Sequence, residues 1–186
     1  MFTLEMSKKK KLVRIDLASG QNKQKGFLGC DIVKMKGVDI VHDLTKYPWP
    51  FKDNSVDEIW CSHYVEHIPH GVGLQDGMVD FMNECYRIMK KGAIAKFLTP
   101  YYASNRAFQD PYHVRFVTEA SYLYFTKSWR EMTRLTHYPI TADFEIVKYD
   151  HSVNQAFVGR ASDAMQQMVM MNWNVIDDLL VTLKKK

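Results

Sequence analysis

The sequence has no stretch approaching about 18 consecutive apolar residues, which excludes a membrane-spanning helix. It has few cysteines: Cys30, Cys61 and Cys85 are odd in number and form no CxxC pair. That pattern suggests neither a disulfide framework nor a zinc knuckle, and a buried thiol is the expectation for each. Internal repeats and low-complexity linkers are also missing, so nothing divides the 186 residues into two units. A secretory signal is not recognisable either, because in MFTLEMSKKKKL the lysines follow a mildly apolar start instead of preceding an apolar core. The expectation is a cytoplasmic protein of one domain with no membrane partner. A hydrophobic share of 46% is enough for a substantial core and excludes disorder as the main state.

The net charge of +4 is not spread over the chain. Seven of its 25 basic residues are Lys8 to Lys11 and Lys184 to Lys186; without these ends, and without Glu5, 18 basic residues face 20 acidic ones. The two lysine runs therefore read as solvated ends rather than phosphate-binding arms, and a nucleic-acid partner is disfavoured. Residues 1–10 are read as a basic N-terminal tail.

Short apolar runs rich in β-branched residues recur at 11–17 (KLVRIDL), 27–32, 38–42, 56–61 and 93–98, each ending in a small or polar residue. They predict five strands of one sheet. Between the fourth and fifth, Leu74, Met78, Phe81, Met82, Cys85, Ile88 and Met89 fall at helical spacing, and Lys90, Lys91 and Gly92 predict a helix end near Lys91. Residues 100–141 crowd aromatic among polar side chains and read as a substrate-side insertion. A strand at 143–151, a Met-rich helix at 160–171 and a last strand complete the chain as a hairpin flanking a helix. Parallel neighbours normally need a crossover of a dozen or more residues. The first two connections are shorter than that, so their helices must be reduced to turns.

In an open α/β sheet, ligands sit beyond the carboxyl ends of the strands. The tail of the first strand, RIDLASG, ends in Gly20, where the backbone can approach a nucleotide-like cofactor closely. Asp31, at the end of the second strand, offers two acceptor oxygens to the two hydroxyls of a ribose. Asp43, in HDL after the third, can accept from the exocyclic amine of adenine. Asp16 either orients the glycine loop or touches the ligand.

In this order the motifs resemble those of the class I S-adenosylmethionine-dependent methyltransferases, particularly their compact bacterial and phage-type branch. The resemblance covers about residues 12–100, most specifically Val41 to Ile68, with a second patch at 109–119 that contains DPYHVRF. It implies an α/β, Rossmann-like class I methyltransferase fold, a mostly parallel sheet of about seven strands forming a single methyltransferase domain over 1–186. It also implies S-adenosyl-L-methionine as cofactor. Ala18, Ser19 and Gly20 would form its loop, Asp31 and Ile32 its ribose side, Asp43 and Leu44 its adenine side, and Cys61, Ser62 and His63 its methionine end. The glycine loop departs from the family pattern in having Gln21 and Asn22 after Gly20. TPYY at 99–102 follows the fifth strand rather than the fourth, so it is not the amine-methylating motif of DNA enzymes.

His63, Glu66 and His67, at i, i+3 and i+4, would share one face of a helical turn and could bind a divalent ion, although a loop-capping histidine is the plainer reading and no metal is assigned. His113 and Arg115 are site candidates, the alternative being an Asp110 to Arg115 pair that fixes their loop. A sulfonium is already activated, so a hydroxyl acceptor would need mainly alignment and loss of its proton, for which His113 or His67 is the candidate catalytic residue. The expected acceptor is a small molecule. The rivals are a binding module without turnover, a nucleic-acid methyltransferase, and an NAD site, which the missing GxGxxG disfavours.

Overall fold

The structure is a computed structural model that describes residues 12–186 except Leu74 and Ala161. The basic tail, Lys8 to Lys11 included, lies outside the described residues, as does Leu74 of the expected helix face. Seven strands form one sheet: β1 (Arg14–Leu17), β2 (Leu28–Asp31), β3 (Ile40–Val41), β4 (Val56–Ser62), β5 (Met89–Pro100), β6 (Phe144–Val153) and β7 (Ile176–Lys185). Their order is β3-β2-β1-β4-β5-β7-β6. The first five are parallel, and β7 inserts antiparallel between β5 and β6. This is the class I methyltransferase arrangement that the sequence predicts.

The short connections behave as their lengths require. Residues 18–27 and 32–39 contain turns and bends but no helix, yet β1, β2 and β3 run parallel. The interior strands bury one face: Ile15 and Leu17, Ile59 and Cys61, and Ala95 and Phe97 are buried and in register across β1, β4 and β5, while Arg14, Glu58 and Lys96 pair on the other face. Cys30, Cys61 and Cys85 are all free and buried.

Helix α1 (Gly77–Ile88) buries Met78, Phe81, Met82, Cys85 and Ile88. It starts where the Asp76 side chain accepts the backbone N–H groups of Met78 at 2.9 Å and Val79 at 3.4 Å, an N-cap. It does not end near Lys91 as the sequence pattern suggests. Ile88 closes it, Met89 opens β5, and Gly92 takes φ 79° within that strand. Lys90 turns away to the Asp57 carboxylate at 2.6 and 2.7 Å. The cation at the helix end comes instead from the far terminus of the chain. The buried Lys185 donates to the carbonyls of Tyr86 at 2.6 Å and Met89 at 2.8 Å and to Asn54 Oδ1 at 2.8 Å. Lys184 and the exposed Lys186 make surface pairs with Glu145 and Asp143, so of the three C-terminal lysines it is Lys185 that departs from the solvated end expected. Residues 105–132 hold three short helices, α2 (Asn105–Phe108), α3 (Glu119–Leu123) and α4 (Lys127–Met132), and α5 (Ser162–Met171) precedes β7.

Candidate functional site

Strand order reverses between β1 and β4, whose registers pair Leu17 with Cys61, so the loops after the two strands open a crevice at their carboxyl ends. Two non-glycine residues there hold left-handed backbone, Ala18 at φ 54° and His63 at φ 52°. Such conformations cost energy and collect at functional sites. Gly20, also left-handed at φ 52°, completes the loop after β1.

Beside this loop lies a cavity of about 310 Å³ walled by Ala18, Asp31, Ile32, Asp43, Leu44, Tyr64 and His67, among others. Asp31 Oδ2 accepts from Gly20 N at 2.9 Å and Oδ1 from Val33 N at 3.3 Å, so the carboxylate is fixed while each oxygen keeps a lone pair. Ile32, 61% exposed, leaves an apolar surface open beside it. Asp43 Oδ1 accepts both the amide at 2.9 Å and the hydroxyl at 2.7 Å of Thr45, which holds its carboxyl below the usual range and leaves Oδ2 unengaged by either bond. Asp16 serves the loop: buried, it accepts from Gln24 N at 2.6 Å, and that burial pushes its carboxyl up. Cys61 is fully buried in the core, so its side chain does not face the cavity.

The sequence pattern gave no hint of what fixes the adenine-side loop. Trp49 Nε1 donates to Leu44 O at 3.1 Å, and Trp49 N donates to the buried Glu84 at 2.6 Å. Arg87, bonded to Glu84 through Nε at 2.8 Å and Nη2 at 2.6 Å, also reaches Asp53 and the carbonyls of Trp49 and Phe51. The available signal was Glu84 beside the apolar Cys85 and Ile88 of the buried face, with Arg87 three residues on.

A 3-10 turn at Val65–His67 follows β4. The segment 113–115 is stitched to it, with Val114 N and Arg115 N donating to Glu66 O at 2.9 and 3.1 Å. Arg115 does not pair with Asp110. Its guanidinium bonds to the carbonyls of Ile68 at 2.6 Å and Pro69 at 2.8 Å and to Asp76 at 2.8 Å, so it joins the loop to the start of α1. This brings two residues 46 positions apart into contact: the rings of His67 and His113 meet edge to face, centroids 4.7 Å apart. His113 Nδ1 lies 2.9 Å from Ala107 O, and His67 Nδ1 lies 3.3 Å from Tyr112 O. A carbonyl only accepts, so each Nδ1 carries a hydrogen, and Nε2 is the ring atom that can meet another partner, with Asp110 Oδ2 3.9 Å from that of His113.

His63, Glu66 and His67 do not act as the expected trio. His63 donates through Nδ1 to Glu66 Oε1 at 3.2 Å, a bond that raises the His63 pKa. The described residues that bring donor atoms together are Glu66, His67 and His113. TPYY divides between core and surface, with Tyr101 buried and Tyr102 exposed.

The cradle fits a nucleoside with a charged tail. A fixed carboxylate faces a cavity with an apolar wall, and the buried Ser19 hydroxyl beside the loop has no partner. No curated protein matches the chain. Solved structures share its fold at low identity. A SAM dependent methyltransferase from Archaeoglobus fulgidus is 16% identical, with 94% of this chain and 86% of that one covered at a TM-score of 0.63. An S-adenosylmethionine dependent methyltransferase from Mesorhizobium loti is 13% identical, with 94% and 91% covered at 0.53. Geranyl diphosphate C-methyltransferase from Streptomyces coelicolor A3(2), solved with S-adenosyl-L-homocysteine, is 11% identical, with 94% and 73% covered at 0.52. A family model described as a methyltransferase domain matches residues 4–97, just over half of the sequence and every strand that walls the crevice. The chain belongs to that family and is an S-adenosylmethionine-dependent methyltransferase domain.

Proposed function

We propose that this methyltransferase acts on a hydroxyl oxygen of a small molecule, held between the cofactor cavity and the pair His67 and His113. S-adenosylmethionine, when bound, supplies an activated methyl group. Ala18, Ser19, Gly20, Asp31, Ile32, Asp43, Leu44, Ser62 and His63 would hold it, Asp31 on the ribose and Asp43 with Leu44 on the adenine. Cys61, expected among them, would contribute only its backbone. The 100–141 segment would form the acceptor side, since its residues 113–115 are fastened to the turn after β4.

One observation carries the reading. His67 is in the cavity wall, His113 touches it, and each has Nδ1 fixed on a backbone carbonyl, with the Asp110 carboxylate 3.9 Å from His113 Nε2. An imidazole pair set beside a methyl donor suits an acceptor that must lose a proton as its carbon–oxygen bond forms. The near-neutral body of the chain gives no electrostatic track for nucleic acid.

Methyl transfer from radiolabelled S-adenosylmethionine to panels of small alcohols and phenols, amines, and RNA or DNA tests this. Label should enter hydroxyl compounds, and label confined to amines or nucleic acid would overturn it. In His113→Ala, kcat should fall by about 10² to 10⁴ while S-adenosylhomocysteine affinity stays unchanged, because the residue serves only the acceptor side.

A further inference from the structure

Glu66 is one of the few buried acids of the described chain, and neither its neighbours nor the cofactor reading uses all of it. Its side chain is 3% exposed. Oε1 accepts from His63, but Oε2 is buried with no hydrogen-bond partner. An unsatisfied carboxylate oxygen in such a place is costly and calls for a positive partner. No lysine or arginine is recorded on it: Arg115, whose backbone N–H bonds to Glu66 O, spends its guanidinium on Ile68, Pro69 and Asp76. What lies around Glu66 instead is the pair of imidazoles, and one donor atom each from Glu66, His67 and His113 lies within 4.8 Å of the others.

We infer that Glu66, His67 and His113 form a site for a divalent first-row transition cation at the acceptor edge of the cofactor cavity. Three features support this independently of the family. The set is two imidazoles and one carboxylate, a combination that takes Mn²⁺, Fe²⁺, Co²⁺ or Zn²⁺ on one side and leaves positions open on the other. The outer contacts match those of metal-binding histidines, which hand their second N–H to a backbone carbonyl: Ala107 O serves His113 and Tyr112 O serves His67. The carboxylate is oriented the same way, by the His63 N–H on Oε1, which leaves Oε2 for the cation.

Ligands about 2.0 to 2.2 Å from one ion sit about 3 to 3.5 Å from each other, so donor atoms that lie within 4.8 Å of one another need to close by no more than roughly 1 to 2 Å. His67, in the cavity wall and free on one edge, can make that movement. His113, whose side chain is only 8% exposed, and Glu66 are fixed.

The inference deepens the hydroxyl reading and rests on it for its use. An acceptor oxygen taking an open position would lose its proton to water more readily. Its lone pair then forms the bond to the methyl carbon while the carbon–sulfur pair stays on sulfur. The imidazoles act as ligands in this case and not as the final proton acceptor, and both roles require neutral rings.

The test is binding of Co²⁺ alone to the untagged, chelator-stripped full chain, with neither cofactor nor acceptor present, followed by calorimetry and visible absorption. One Co²⁺ per chain is expected. Loss of an outer contact alone weakens such sites about 10- to 100-fold, so Glu66→Gln and His113→Ala should each lose at least that much. Unchanged S-adenosylhomocysteine affinity in both variants would show that they are folded, and His137→Ala, away from the set, should bind Co²⁺ as the parent does. Absence of stoichiometric uptake, or uptake that survives both ligand substitutions, overturns the site. Uptake by a chain that methylates no hydroxyl compound would sink the acceptor reading and leave the site standing. Full-rate hydroxyl methylation by a chain that takes up no Co²⁺ would do the reverse.

Discussion

Asp31 has two tasks, which its two oxygens can meet together. It holds Gly20 N and Val33 N, and on the reading proposed above it also accepts from the cofactor's ribose. Hydrogen bonds to a charged group contribute about 1.5 to 3 kcal/mol, so Asp31→Ala should weaken S-adenosylhomocysteine binding by about 10- to 150-fold in calorimetry. Asp31→Asn, which keeps one acceptor oxygen, should lose less. Unchanged affinity in the alanine variant would remove the carboxylate from the site. Asp31 was legible in the sequence because a carboxylate at the end of a second strand answers a stated chemical demand. The Arg115 contact was not: DPYHVRF offers an aspartate five residues before the arginine, but the aspartate that binds it, Asp76, lies 39 residues away on the cap of α1. Local spacing carries no information about a partner supplied by the fold.

At the scale of elements, the loop from Leu44 to Phe51 stays in place because α1 grips it. Glu84 accepts from Trp49 N and is clamped by Arg87, and Trp49 in turn holds Leu44 O. Glu84 is 7% exposed, while the Arg87 side chain is 27% exposed and keeps Asp53 as a partner. Removing Glu84 therefore costs about 1.5 to 3 kcal/mol, the range for hydrogen bonds to a charged group. Glu84→Leu should lower the melting temperature by roughly 3 to 12 °C at about 2 to 4 °C per kcal/mol. Affinity for S-adenosylhomocysteine should fall as well, since the adenine side loses its anchor. A scanning calorimeter reading within about 2 °C of the parent, less than 1 kcal/mol, would show that the clamp does not hold the loop. The ends of α1 show the limit of pattern reading. Periodicity correctly marked its buried face, but Lys90, Lys91 and Gly92 match a helix stop that the chain uses in a strand. Burial of Met89 and pairing of Val56 with Met89 outweigh that local signal.

At the scale of the molecule, the sheet order places every proposed cofactor contact on one edge, and this was the most legible property of the sequence. The strands β1 to β4 are short, and the residues at or after their carboxyl ends follow one another in space as Asp43, Asp31, Gly20 and Ser62, the order β3-β2-β1-β4. Lys185 was misread for a reason of the same scale: a run of three charges at a chain end looks solvated unless the last strand is known to pass α1, where Lys185 meets the carbonyls of Tyr86 and Met89. Because the proposed contacts come from four separate strands and loops, ligand binding should stabilise the fold as a whole. No helix of the described residues is long and apolar enough to cross a membrane. A ligand that binds only the folded state stabilises it by RT ln(1 + [L]/Kd), about 2.7 kcal/mol at a hundredfold excess over Kd. For a chain of this length that corresponds to a rise of roughly 5 to 11 °C. S-adenosylhomocysteine should produce such a rise and NAD should not, because the loop after β1 lacks the three glycines that let a dinucleotide pyrophosphate sit on a helix N-terminus, and no helix follows it. A rise with NAD and none with S-adenosylhomocysteine would mean that the crevice between β1 and β4 holds a different cofactor, and the Asp31 and Asp43 assignments would fall with it.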